Sequence, residues 1–416
     1  NFAEEYGDLM FINAEIELKT FSPEIIPDLQ KENDLTQAYE KLLASAQIPF
    51  EGGVYTLSQM TPFKQSSDDA KRLAAWKAEG AWYMSHADKL DSIYDELVHL
   101  RDTMGKKLGN SDYIPLGYDR MQRNCYTKED VEAFRKAVVK HIVPLADAVY
   151  RRQAERLGKA YPMNYADNAL EFRSGNPRPQ GTPDDILAAG RKFYHELSGE
   201  TAEFIDFMYD NELLDVLSRK GKAGGGYCTT LGSYNCPFIF ANFNGTSGDV
   251  EVITHEAGHA FADFIASQTV AVRALSCPTM EGAETHSMSM EFLTAPWHHL
   301  FFGELTDKYE LSHAEDALLF IPYGCLVDHF QEEVYRHPEM TPEERNQKWL
   351  ELEGRYRPYI NFDGLPFYGR YAHWQWKPHI YLSPLYYIDY CMAGTVAFQV
   401  WTLSLQDRKA AWEKYL

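Results

Sequence analysis

Thr246-Ser-Gly-Asp-Val-Glu-Val-Ile-Thr-His255-Glu256-Ala-Gly258-His259 is the stretch on which the reading of this chain turns. Thr246 and Asp249 stand three apart, the spacing of a capping box, so a helix is expected to start there. On a helix, residues four apart share a face, and His255 and His259 can turn imidazole nitrogens toward one metal ion. Glu256 projects beside them, where a carboxylate can hold and deprotonate a water activated by that metal. With histidine and glutamate at their frequencies here, chance supplies such a pentapeptide only about 0.04 times per chain. A glycine inside a helix costs about 1 kcal/mol against alanine, so Gly258 implies a close approach to the backbone. The bland alternative is two surface histidines flanking a salt-bridging glutamate.

A catalytic zinc site takes three protein ligands and leaves a fourth position open. One extended motif would place a histidine at 265, but Ile265 stands there. Other zinc-peptidase spacings need glutamate near 278–279, where the chain has Pro278 and Thr279. The next carboxylates lie in Pro278-Thr-Met-Glu281-Gly-Ala-Glu284-Thr-His286-Ser-Met288-Ser-Met-Glu291. Pro278 suits a helix start, and Glu284, Met288 and Glu291 then share a face. On spacing alone, Glu281 and Glu284 both remain open as the third ligand.

Upstream, the chain reads as helix after helix. Leu90, Ile93, Tyr94, Leu97 and Met104 recur at helical spacing, with Gly109 as the stop. Thr127-Lys-Glu-Asp130 opens a helix through Val149 that Pro144 should kink, and Gly158 should end it. Residues 158–182, with Pro162, Pro177 and Pro179, read as a linker. Thr182-Pro183-Asp184-Asp185 starts another helix, and helical pattern runs from Glu200 to about Arg219. After Gly224-Gly225-Gly226, two strands are expected, Tyr227–Leu231 and Phe238–Phe243. No internal repeat is visible.

The 416 residues carry 40 Lys+Arg against 61 Asp+Glu, a net charge of −21. Such a balance argues against nucleic-acid binding, which needs a basic face. No run approaches the ~18 apolar residues of a membrane span. Six scattered cysteines without a Cys-x-x-Cys pair read as a reduced, cytoplasmic protein. The chain opens on Asn1 without a leader pattern, and either a removed leader or a fragment is expected.

His255–His259, Glu284 twenty-five residues beyond His259 and Glu291 seven further on resemble the thimet oligopeptidase and oligoendopeptidase F family. The likeness extends to Leu97-Val-His-Leu-Arg101, Lys107-Leu-Gly109, Leu116-Gly-Tyr118, Lys222-Ala-Gly-Gly-Gly-Tyr227 and Phe243-Asn-Gly-Thr246. The resemblance implies His255, His259 and Glu284 as ligands of one zinc ion, with Glu256 as general base. It implies a mainly α, zincin-like metallopeptidase: two helical lobes around a deep cleft, with a small β element beside the zinc helix. The lobes are expected at 1–181 and 182–416, each missing residues at its outer end because family members are usually longer. His286 has no family counterpart as a ligand and reads as a packing or outer-sphere residue.

Trp376-Lys-Pro-His379-Ile-Tyr381 and Tyr386-Tyr387-Ile-Asp-Tyr390 form the last informative region. The family uses a histidine and tyrosines from such a segment to steady the oxyanion of peptide hydrolysis. His379 matches, and Tyr386 and Tyr387 are favoured over Tyr390; an aromatic-rich core is the alternative. The resulting expectation is a zinc endopeptidase cutting internal bonds of oligopeptides, with a strand edge at 227–243 able to hold an extended peptide. A zinc carboxypeptidase of the same fold would need a cation for the substrate's C-terminus, with Arg355, Arg357 and Arg370 as candidates. A non-catalytic peptide-binding protein is the third reading, and the intact Glu256 speaks against it.

Overall fold

The computed structural model describes residues 2–369 and 372–416. Helices carry most of these residues, with five short strands among them, so the fold is mainly α. Contacts divide the chain into two compact units, Asn1–Arg173 with Leu318–Cys391, and Ser174–Ala317 with Met392–Leu416. The sequence predicts one boundary at 181/182; contacts divide the chain after Arg173, Ala317 and Cys391, so residues 318–391 group with the first unit. Arg135 bonds Asp328 at 2.7 Å and Tyr39 stacks on Tyr381 at 3.9 Å, pairings that no local pattern announces. Two continuous helices, Thr306–Arg336 and Tyr387–Gln406, carry the chain across the division.

The first unit is built on helices whose apolar stripe follows the sequence spacing. On Ala87–Lys107, the residues Leu90, Ile93, Tyr94, Leu97 and Met104 are all buried. Thr127 and Asp130 form the expected reciprocal cap on Lys128–His141. That helix ends before Pro144 rather than kinking at it, and Val143–Leu157 starts afresh. Proline sits comfortably in a first turn because its missing N–H would have no partner there anyway. Gly158 closes the second helix at φ +67°, a left-handed turn that glycine adopts freely. The core also holds charge. Arg101 is fully buried and donates to Glu32 at 2.6 Å, the Tyr335 hydroxyl at 2.9 Å and the Tyr381 carbonyl at 2.6 Å. Removing one partner of such a pair costs about 3–5 kcal/mol, because the other charge stays buried.

The second unit sets a three-stranded sheet against helices. Its order is Leu214–Leu217, Cys236–Phe243, Tyr227–Leu231, the first pair parallel and the second antiparallel. The register pairs Tyr227 with Phe240 and Leu231 with Cys236. The helical pattern expected through Arg219 stops at Asp210, where Glu212 takes φ +53° and turns the chain into the unanticipated strand. Ile239, Ala241 and Phe243 face a core with Val250, Ile253, Ala257, Phe261 and Met290. Tyr415 stacks on Phe261, with ring planes 4° apart. Each large apolar side chain so buried contributes about 1.5–3 kcal/mol.

Candidate active site

The motif helix spans Gly248–Thr269 and its neighbour spans Met280–Leu293. The expected Thr246/Asp249 capping box does not form. Ser247 precedes the helix without a side-chain cap, and Asp249 instead accepts from the N–H groups of Asn244 and Gly245, both at 2.8 Å. Gly258 explains itself by proximity: a Cβ there would stand 2.7 Å from Ser287 Cα and 3.1 Å from the His286 carbonyl oxygen. The two helices meet backbone to backbone at that point, which brings Glu284 over the histidines.

Glu284 Oε2 lies 3.3 Å from both His255 Nε2 and His259 Nε2. Two ligands held at ~2.0–2.1 Å by a tetrahedral zinc ion stand ~3.3 Å apart, so the donor set and its spacing fit that metal. Among the described residues this is the one such cluster. Glu284 is 2% exposed, and Ser287 Oγ donates to its Oε2 at 2.9 Å. Burial opposes its charge, but the two imidazoles hold the carboxyl well below its usual range. Glu281 is turned elsewhere and accepts from Thr279 Oγ1 at 2.5 Å. His286 packs edge-on against Tyr415, 5.3 Å between ring centroids.

Glu256 is largely buried, and burial raises its carboxyl above the ordinary value. A Cβ on Gly226 would lie 3.7 Å from Glu256 Oε1, in ordinary contact, so the glycine run passes directly beside this carboxylate. Asn242 Nδ2 pins that loop through the carbonyls of Ala223 and Gly225, at 2.8 and 2.9 Å. The strand Tyr227–Leu231 forms one edge of the sheet, with its side chains mostly exposed.

Behind His255 runs a relay that the sequence reading did not contain. His255 Nδ1 is 2.6 Å from Glu291 Oε1, and Glu291 Oε2 is 2.8 Å from His313 Nε2. Burial opposes the Glu291 charge, yet the two imidazoles hold its carboxyl down at about 2. A carboxylate on the far nitrogen fixes a ligating imidazole's tautomer and ring orientation. Glu291 was legible from its family spacing. His313 had no signal, since it comes from another helix.

In the first unit, His379 Nε2 stands 3.2 Å from the Tyr390 hydroxyl. Ring centroids of Tyr387, Tyr390 and Tyr386 lie 5.0, 5.6 and 6.0 Å from that of His379. The less favoured Tyr390 is thus within hydrogen-bond distance of the histidine. The turn before them is held tightly. Buried Leu385 takes φ +65°, its N–H donates to Gln331 Oε1 at 3.0 Å, and Arg123 donates to its carbonyl at 2.6 Å. Of the expected carboxylate-binding cations, Arg357 is bound to Glu353, Arg355 is exposed, and Arg370 lies outside the described residues.

Residues 198–415 match the sequence model of peptidase family M3. The chain belongs to that family. Over its whole length it also aligns with PZ peptidase A, solved with inhibitor 2, at 47% identity and TM-score 0.97, covering 73% of that chain. A structure described as a candidate oligoendopeptidase F matches at 46% identity and TM-score 0.98, again over all of this chain and 73% of the other. A third, a candidate oligoendopeptidase F from Bacillus anthracis str. Ames, matches at 45% identity and TM-score 0.91, covering 100% of this chain and 72% of that one. A comparison with curated proteins found no match. The likeness to thimet oligopeptidase and oligoendopeptidase F is therefore borne out, and this M3 chain is a metalloendopeptidase that acts on peptides. No helix among its described residues is long and apolar enough to cross a membrane.

Proposed function

We propose that this metalloendopeptidase works with one zinc ion per chain, held by His255, His259 and Glu284, and cuts internal bonds of short oligopeptides. The observation that carries the reading is the 3.3 Å spacing of Glu284 Oε2 from both histidine Nε2 atoms. Zinc bound there would supply Lewis acidity, polarising the scissile carbonyl and easing loss of a proton from water. Glu256 takes the proton of the attacking water on a carboxylate oxygen and hands it to the leaving amine nitrogen. Glu291 and His313 keep the His255 ring in one orientation. By resemblance to the family, His379, Tyr386 and Tyr387 donate hydrogen bonds to the oxygen on which charge builds, and Tyr390 steadies His379.

The edge strand Tyr227–Leu231 accepts an extended peptide through main-chain hydrogen bonds, which tolerates varied side chains. The preference for short peptides rests on family likeness. Six cysteines without disulfides suit a reducing, cytoplasmic setting.

Zinc-loaded wild type and Glu256→Gln, incubated with mixed peptides of roughly 5–15 residues, test this by mass spectrometry of the products. Internal cuts by wild type that fall at least ~100-fold in the variant, at equal zinc content, are expected. Absence of cleavage by wild type, or release of single C-terminal residues only, overturns the reading.

A further inference from the structure

Lys377 stands two residues before His379 and has no counter-charge among the described residues. Its half-buried side chain brings the ammonium over the rings of Tyr387, Tyr323 and Trp376, at 5.2, 5.3 and 5.7 Å from their centroids. No carboxylate among the described residues pairs with it. Its cationic neighbours are already compensated: Arg357 Nε donates to Glu353 at 2.9 Å, and Lys64, also over Trp376, pairs with Glu79 at 2.8 Å. Burial first, then the Arg357 charge, pull the Lys377 ammonium down to about 8. Ring faces soften the loss of water around a cation, but they do not neutralise it.

Two further polar groups at this place lack partners. Tyr323 Oη and Trp376 Nε1 are both buried, and neither has a hydrogen-bond partner. The indole N–H bears on the Tyr323 phenol without closing a bond to it, which leaves the phenol proton unspent. An ammonium, a phenol O–H and an indole N–H thus converge, and the one acceptor among them is the phenol oxygen that the indole N–H already faces. Buried donors are satisfied almost without exception in native proteins, so an acceptor belongs here when the protein works. Its charge should be negative, because among the described residues no carboxylate compensates Lys377.

The surroundings name the class of acceptor. Tyr387, whose ring Lys377 covers, also packs against His379 at 5.0 Å. The molecules this enzyme handles are peptides, and the anionic group a peptide brings is a carboxylate. We propose that Lys377 and Tyr323 bind a carboxylate of the peptide substrate, its C-terminus or an acidic side chain. The inference rests on the assignment of His379 and its tyrosines to the bound peptide. It gives the carboxylate-binding role to Lys377 rather than to Arg355, Arg357 or Arg370, the candidates of the carboxypeptidase reading.

The test reads binding rather than turnover, on zinc-loaded Glu256→Gln protein. One fluorescent peptide is offered in three forms: free acid, C-terminal amide, and free acid with each Glu changed to Gln. The free acid should bind about tenfold more tightly than one of the neutralised forms, as a charge-assisted bond would give. Loss with the amide assigns the terminal carboxylate, and loss with the Gln form assigns an acidic side chain. Adding Lys377→Met, which keeps the aliphatic stem against the rings, should make the three forms bind alike, and Lys377→Arg should restore the preference. Tyr323→Phe, which removes one hydroxyl, should narrow it and serves if Lys377→Met does not fold. Equal binding of all three forms to the Lys377 protein overturns the proposal, as does a preference that survives Lys377→Met. Failure of the wild type to cut peptides would instead overturn the peptidase reading, since the binding comparison needs no hydrolysis.

Discussion

Glu291 touches no candidate metal position, yet it holds His255 at 2.6 Å and His313 at 2.8 Å through its two oxygens. Both carboxylate oxygens are therefore engaged, and the His255 ring has one orientation in which its Nε2 faces Glu284. Glu291→Gln replaces one acceptor oxygen by a donor, and His313→Leu leaves the other oxygen without its partner. Each should weaken zinc binding about 10–100-fold, as loss of outer-sphere partners does. Chelator competition on the purified protein measures this without any peptide. His313→Gln, which can still donate to the carboxylate, should retain most of the affinity. Unchanged affinity in both Glu291→Gln and His313→Leu would sink the relay. At this scale the sequence was partly legible: His255, Glu256 and His259 announce themselves by local spacing, and Glu284 by family likeness. His313 and Tyr390 did not, because their partners meet them only through packing.

The pairing of Gly248–Thr269 with Met280–Leu293 is the element on which the site depends, and Gly258 sets its closeness. Gly258→Ala would add a Cβ 2.7 Å from Ser287 Cα, a backbone atom that cannot swing aside. Alanine favours the helix by about 1 kcal/mol, while overpacking against backbone costs about 1–3 kcal/mol. The variant should therefore melt lower when metal-free, and should also bind zinc less well because Glu284 rides on the displaced helix. A melting temperature equal to or above wild type would refute the close approach. Sequence reasoning found that constraint in the glycine itself. It misread Leu214–Leu217 as helix, since a left-handed residue such as Glu212 has no signature in apolar periodicity. It misread Pro144 for a related reason: proline marks both a broken helix and a fresh one.

Across the molecule, stability should respond to acid through histidines that folding keeps neutral. Burial, then the charges of Arg135, Arg355, Lys348 and Arg336, lower His329 to about 3. Burial, then His313, lower His298 to about 3, in the other unit. An unfolded histidine titrates near ~6.5, so between there and pH 3 the unfolded chain binds more protons than the folded one. Their contribution is complete above pH ~6.5 and is lost as pH falls toward 3, by up to ~1.4 kcal/mol per pH unit for each group. Melting of metal-free protein from pH 7 to pH 4.5 should show this decline, and His329→Gln should make it shallower. Identical slopes for variant and wild type would remove His329 from the account. The division of the chain was the least legible feature, because the return of residues 318–391 to the first unit is written in pairings such as Arg135 with Asp328.

That division has a consequence for the order of events during synthesis. A nascent chain that has emerged as far as Ala317 already carries both histidines, Glu284, Glu291 and His313. It still lacks Trp412 and Tyr415, whose rings cover Phe261 on the motif helix, 6.1 and 6.4 Å between centroids. It also lacks Phe398 and Trp401, which pack on Phe292 one residue after Glu291. The candidate metal ligands are thus all present on the ribosome while the aromatic floor beneath them is open. For that interval the growing chain exposes Phe261 and Phe292 beside the three candidate ligands, and on the proposed zinc reading metal capture can precede closure of the core.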